Sequence, residues 1–216
     1  ETLLDRMGAD NKIVRLLFNR ARLNPKRVVF AEADQLDVLK AAQIVYEEGI
    51  AHPILLGNKK QIERLKEQLE FEADVPIIDP KDEDHIEQKN KYGEVFWKQQ
   101  ERSGQTLLSA QKLMRERNYY AAMMVNEGDA DALITGYSRS YPSIVKPMLD
   151  LIGLAPGSTR IATTNVMITR RGPLFLSDTA ININPTAHDL IKITQMTSGV
   201  MKMFGITPVM AMLSYS

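Results

Sequence analysis

Three short stretches of this chain gather residue types able to handle anions and protons. In the first, Arg115 stands just before Tyr119, Tyr120 and the apolar run Ala121 to Val125. A guanidinium fixed there offers planar, paired donors to phosphate oxygens. The same spacing also reads as Arg115 and Arg117 being solvated helix charges, with the tyrosines and methionines in a core. The second stretch is the loop Thr135-Gly136-Tyr137-Ser138-Arg139-Ser140-Tyr141-Pro142, which leaves a β-rich run and enters a helical one carrying Lys146. Small hydroxyl residues, free backbone N–H groups and two cations at a helix N-terminus make an anion site. The alternative is an ordinary strand-to-helix turn capped by Ser140 or Ser143. The third, Leu176-Ser177-Asp178-Thr179-Ala180-Ile181-Asn182-Ile183-Asn184-Pro185, delivers Ser177 and Asp178 from a strand into a polar loop. There Asp178 can be a general base, orient one, or simply cap the loop.

Other chemistry is missing. No glycines fit G-x-G-x-x-G or G-x-x-x-x-G-K-[ST], and no G-x-S-x-G elbow occurs, so nucleotide cradles and serine-hydrolase chemistry lack motif support. His52, His85 and His188 are far apart and read as surface or helix residues, with no metal-ligand spacing. The chain has no cysteine, which excludes disulfides, thiolate metal sites and a thiol nucleophile and agrees with a cytoplasmic location. Lys and Arg number 27, matching 27 Asp and Glu. That balance argues against a nucleic-acid partner, which would need surplus positive charge. No run approaches the roughly 18 apolar residues of a membrane span.

Short β-rich runs alternate with helical ones along the chain, and these must position the three stretches. Strands are expected at Arg27 to Ala31, Pro53 to Leu56, Val75 to Ile78 and Asp131 to Thr135. Helices are expected at Leu36 to Glu48, Lys59 to Leu69 and Ser143 to Ile152, with a mostly helical stretch from Asp82 to about Glu127 broken near Ser103-Gly104 and Asn118. Beyond Gly153…Pro156-Gly157, paired strands Arg160 to Thr169 and Pro173 to Ser177 surround a turn at Arg170-Arg171-Gly172. A helix capped by Asn184 with Pro185 at its first position runs to Phe204, and Thr207 to Leu213 is a last strand. This alternation implies βαβ units and a mainly parallel sheet with helices on both faces, where ligands bind beyond strand C-termini. The 216 residues allow one large domain or two small ones, and a start at Glu1 rather than Met reads as a piece of a longer polypeptide.

Taken together, these segments resemble the phosphate acetyl/butyryltransferase family. The likeness lies in Arg115…Asn118-Tyr119-Tyr120-Ala121-Ala122-Met123-Met124-Val125, Gly128 to Gly136, Ile144-Val145-Lys146-Pro147, Leu176-Ser177-Asp178…Asn182…Pro185-Thr186-Ala187, Phe204-Gly205-Ile206-Thr207-Pro208 and Leu213 to Ser216. Asn24-Pro25-Lys26-Arg27-Val28-Val29-Phe30-Ala31-Glu32 fits as well, so the resemblance runs from about Ile13 to Ser216. The chain is most similar to the phosphotransacetylase-like C-terminal region of multidomain bacterial NADP-dependent malic enzymes. Leu3-Leu4-Asp5-Arg6-Met7-Gly8 resembles the connector to such a region, and Asn165 in Thr163-Thr164-Asn165-Val166 matches the malic-enzyme version.

The resemblance implies an α/β fold of two three-layer α/β/α domains with mainly parallel sheets and a cleft between them, isocitrate/isopropylmalate dehydrogenase-like, with the second domain truncated. Residues 1–24 would be a connector and first helix, 25–155 the first domain and 156–216 the start of the second. It implies acetyl-CoA or CoA as ligand, phosphate as co-substrate, and a homodimer or higher homo-oligomer. NADP and a divalent metal would belong only to an upstream malic-enzyme part, with no metal site here. The residues implied to hold phosphate or acyl-CoA are Arg115, Thr135, Gly136, Arg139, Ser140, Lys146, Ser177 and Asn182, with Asp178 as the catalytic candidate. Lys146 stands where transferases usually have an arginine, and Ser140-Tyr141-Pro142-Ser143 replaces a smaller polar loop. The family's later Ser-Arg motif and catalytic Asp are expected beyond Ser216. A lysine cannot reproduce the planar grip of arginine, so three functions follow: an acetyl-CoA sensor regulating a linked malic enzyme, a working phosphate acetyltransferase, or a dimerisation module.

Overall fold

The computed structural model describes residues 12–169 and 172–213. The expected connector at residues 1–11, the turn residues Arg170 and Arg171, and the terminal Ser214-Tyr215-Ser216 lie outside the described residues. Two compact units form: one is Phe18–Gly153, the other Glu1–Leu17 with Leu154–Ser216.

In the Phe18–Gly153 unit four strands make one parallel sheet: β1 (Lys26–Phe30), β2 (Ala51–Leu56), β3 (Ile77–Ile78) and β4 (Ala132–Ile134). Their order is β3-β2-β1-β4. Val29 pairs with Ile54 on one side and with Leu133 on the other, so β1 is central. Helix α1 (Lys12–Leu23) is divided between the two units at Leu17 and leads into β1; the helices wholly within this unit are α2 (Leu36–Glu47), α3 (Lys59–Gln68), α4 (Ile86–Gln100), α5 (Leu107–Leu113), α6 (Arg117–Asn126) and α7 (Tyr141–Leu151). Side chains alternate across a strand, and here both faces are buried. Phe30 and Leu55 join Leu39 and Ala42 of α2 and Ile62 and Leu65 of α3. Val29, Ala31, Ile54 and Leu56 join Tyr92, Phe96, Ala110, Tyr120, Met123 and Leu151 on the opposite face. The unit is therefore three layers, helices over sheet over helices.

Several boundaries differ from the sequence reading. The helical stretch breaks at Met114 to Glu116, not Asn118, because Asn118 lies buried inside α6. α7 starts at Tyr141, two residues early, since Pro142 fits a helix's first turn, where backbone N–H groups need no intrahelical acceptor. At the other end of the sheet the Arg27 guanidinium grips Asp131 (3.0 Å) and the carbonyls of Asp129 and Gly128, tying the start of β1 to that of β4.

The second unit contains the expected antiparallel pair, β5 (Thr164–Thr169) and β6 (Gly172–Ser177), in register Asn165 with Leu176 and Met167 with Leu174. Its helix α8 (Ala187–Met203) is capped by Thr186, not Asn184. The Thr186 hydroxyl accepts from the Asp189 N–H while the Asp189 carboxylate accepts from the Thr186 N–H, closing a reciprocal box that satisfies two orphan donors. The stretch expected as a final strand, Thr207 to Leu213, has no strand pairing among the described residues. An apolar run becomes a strand only where a neighbour completes its ladder.

Candidate functional site

Parallel strands deliver their following loops to one edge of the sheet. At that edge of the Phe18–Gly153 unit lie Glu32 and Asp34 after β1, Gly57-Asn58 after β2, Asp79-Pro80-Lys81 after β3 and Thr135 to Arg139 after β4. The order of the strands reverses between β1 and β4, since β2 and β3 follow on one side of β1 and β4 returns to the other, and the crevice at such a switch point is where open α/β sheets place ligands.

Glu32 occupies that crevice. Its side chain is 1% exposed, yet it is fully provided with donors. Oε1 accepts from the backbone N–H groups of Gly136 (2.8 Å) and Tyr137 (2.9 Å), while Oε2 accepts from the N–H of Ser138 (2.9 Å) and from the Ser138 hydroxyl. Burial by itself would push the carboxyl upward, but the Ser138 hydroxyl and the three amides outweigh it and hold Glu32 below the usual carboxylate range. Gly136 makes the convergence feasible: its φ is +111°, and a Cβ there would stand 3.2 Å from Ile144 Cδ1. The Thr135 hydroxyl donates to Asn118 Oδ1 at 2.9 Å. The N–H groups expected to be free for an external anion are thus filled by the protein's own carboxylate, and Thr135 and Gly136 shape the loop.

The cations lie beside this lock. Arg117, at the start of α6, forks onto Asp34 with bonds of 2.8 and 2.9 Å, and the Asp34 hydrogen bond holds the guanidinium above its ordinary value. Gly57 lets β2 approach this pair, because a Cβ there would stand 3.0 Å from Asp34 Cγ. A depression of about 170 Å3 follows, lined by Lys81, Arg115, Arg117 and Arg139 against Asp79 and Glu116. Among the described residues, neither Arg115 nor Arg139 has a side-chain hydrogen bond or ion pair. Arg117 and Arg139 also line a neighbouring depression of about 300 Å3 with Tyr119, Ser143, Lys146 and Pro147, whose exposed walls are mostly apolar. Lys146 turns to Asp150 on its own helix at 2.7 Å, and Asp150 also accepts the Tyr119 hydroxyl at 2.8 Å. A third depression, about 590 Å3, is lined by Glu63, Glu67, Glu70 and Glu72 with Lys66 as its one cation, and its charge repels anions.

Arg115, Arg139 and Lys146 are thus brought to adjacent depressions of one unit, while Ser140 stands at the N-cap position of α7 with no side-chain bond to the helix's N–H groups. Ser177, Asp178 and Asn182 belong to the second unit. There Asp178, in the left-handed region at φ +58°, accepts from the backbone N–H (3.3 Å) and Nδ2 (2.8 Å) of Asn182, and its own N–H donates to the Thr163 carbonyl (2.8 Å). Ser177 shares a hydrogen bond of 2.5 Å with Thr197. These contacts stabilise a turn, the loop-capping alternative. Sequence reasoning missed Glu32, Asp34 and Arg117. The signal available was a carboxylate directly after a buried strand, opposite a loop rich in glycine and serine. Among the described residues no three His, Cys, Asp or Glu cluster as a metal site would require, and no helix is long and apolar enough to cross a membrane.

A family model for phosphate acetyl/butaryl transferase matches residues 12–216. The chain belongs to this family. It is 33% identical over 208 residues to an NADP-dependent malic enzyme of Haemophilus influenzae, covering 94% of this chain and 27% of that protein. It is 31% identical over 211 residues to a phosphate acetyltransferase of Thermoanaerobacterium thermosaccharolyticum, covering 94% of this chain and 63% of the other. The EutD phosphotransacetylase from Staphylococcus aureus superposes with a TM-score of 0.83 at 26% identity, over 94% of this chain and 61% of that one. The chain thus spans about a quarter of the malic enzyme and under two thirds of each transferase, and this phosphate acetyl/butaryl transferase domain is similar to parts of both kinds of enzyme.

Proposed function

We propose that this chain is the phosphotransacetylase-like region of a malic enzyme and binds acetyl-CoA as a regulatory effector of NADP-dependent malate decarboxylation. The observation that carries the reading is the pairing pattern of the cations. Among the described residues Arg115 and Arg139 have no side-chain partner and line one depression beside the strand ends, which leaves them available to a phosphate-bearing ligand, and charge-assisted bonds to phosphate are strong. Lys146, by contrast, is matched by Asp150, so the position that transferases give to an arginine contributes little net charge to stabilise a transferring acyl group. The donor set fits CoA: arginines and a lysine suit its phosphates, and the apolar walls beside Tyr119 and Pro147 suit uncharged parts of the molecule.

Regulation requires acetyl-CoA to bind two conformations of the assembly unequally. The test is malate-dependent NADPH formation by the full-length protein as acetyl-CoA is titrated. The expected result is a saturable change in rate whose midpoint moves about tenfold or more in Arg115→Ala. A rate indifferent to acetyl-CoA removes the regulatory reading. The similarity to phosphate acetyltransferases favours a second reading, a working transferase, which rests on arsenate-dependent loss of the acetyl-CoA thioester. Loss that disappears in Arg115→Ala would make the region catalytic and displace the sensor.

A further inference from the structure

Three successive amides pointing at one spot is the geometry by which backbone loops hold phosphate. In this chain the spot is filled from inside. The Glu32 carboxylate, arriving from the end of β1, takes the N–H groups of Gly136, Tyr137 and Ser138 together with the Ser138 hydroxyl. A second tie comes from α2, where the Tyr137 hydroxyl donates to Asp37 at 2.6 Å. After Ser138 comes Arg139, which lines both cationic depressions, and then Ser140, at the N-cap position of the helix that carries Lys146. Glu32 itself lines neither depression.

We propose that Glu32 is the positioning residue that sets the anion affinity of the Arg115–Arg139 depression, acting through the backbone of residues 136–138. Its role is mechanical. An arginine on a fixed backbone loses less freedom on binding than one on a mobile loop, so more of its interaction with phosphate appears as affinity. Glu32 also takes the amides out of competition, so the anion is held by side chains and displaced toward Arg115 and Lys81. The inference rests on the reading of this edge as a phosphate-binding site.

The test measures inorganic phosphate binding by calorimetry to the full-length protein, well below its melting temperature. Glu32→Gln keeps the shape but turns two amide hydrogens toward the N–H donors. Its lost charge by itself favours an anion while its freed loop opposes binding, so the positioning role is read from Glu32→Asp, which keeps the charge on a shorter stem and is expected to weaken phosphate binding about threefold. Ser138→Ala removes a single donor without changing charge and carries the test if Glu32→Asp fails to fold, with a loss of about twofold to threefold expected. Thr186→Ala, at the α8 cap of the second unit, lowers stability and is expected to leave the phosphate Kd where it is; a role of Glu32 confined to stability would do the same. If the wild type binds phosphate and the Glu32→Asp and Ser138→Ala variants bind it equally well, the positioning role is wrong and the site stands. If the wild type binds no phosphate, both the site and the positioning role are overturned.

Discussion

Replacing Asp34 with Asn should loosen the fold while tightening its hold on phosphate, two effects of opposite sign from one substitution. Asp34 receives both arms of Arg117 at 2.8 and 2.9 Å, with side chains 12% and 22% exposed. Hydrogen bonds to charged groups contribute about 1.5–3 kcal/mol each. Water reaches part of this pair, so the lower end applies, and Asn retains one acceptor; the expected loss of stability is about 1.5–2 kcal/mol. The binding effect is electrostatic. Arg117 lines the depression that also holds Arg115 and Arg139, and Asp34 neutralises it. Coulomb's law puts a unit charge a few Å from a bound anion at about 1 kcal/mol in water, and relieving that repulsion is close to fivefold in affinity. Urea unfolding reads the first effect and calorimetric titration with inorganic phosphate, at low salt and with the protein folded, reads the second. A folded Asp34→Asn protein that binds phosphate more weakly than the wild type would refute the reasoning, because Arg117 would then not face the anion.

Further expectations concern the frame around the site. Glu32 has a depressed folded-state value, so its stabilisation is present above its ordinary value of 4.5 and is lost as pH falls through the folded value. Urea midpoints measured from pH 6 down to pH 3 should therefore drop below about pH 4.5, with a smaller drop in Glu32→Gln. Thr186→Ala opens the reciprocal cap of α8 and should cost about 1 kcal/mol by the same unfolding assay. Gly93→Ala places a Cβ 2.9 Å from Gln111 Cα, where α4 packs on α5; a loss of about 1–2 kcal/mol is expected despite the better helix propensity of alanine, and a gain would mean that the two helices separate freely.

Much of the frame can be read from residue order alone. Arg27 to Ala31 and Pro53 to Leu56 are apolar runs too short for helices and bounded by turn residues, and they form β1 and β2 buried on both faces. What depends on distant partners is harder to read. Asn184-Pro185 is a valid helix start in isolation, yet Thr186 with Asp189 three residues on supplies two hydrogen bonds and wins. Thr207 to Leu213 has the apolar content of a strand but no partner among the described residues. The same division runs through the site. Arg115, Arg139 and Lys146 carry their chemistry in their side chains and can be read as candidate anion ligands from residue type alone, whereas Glu32 lies 104 positions from Gly136 and meets it only because β1 and β4 are neighbours. Loop amides look free until the fold shows what fills them.

In the proposed function Arg115 and Arg139 hold a phosphate-bearing acyl-CoA in the depression beside the strand ends of the Phe18–Gly153 unit. Calorimetric titration of the full-length protein with acetyl-CoA, wild type against Arg139→Ala, tests it most directly. Loss of a charge-assisted contact of about 1.5–3 kcal/mol predicts saturable binding that weakens by about tenfold or more in the variant. Equal affinity in the two proteins, or no binding by the wild type, would contradict it.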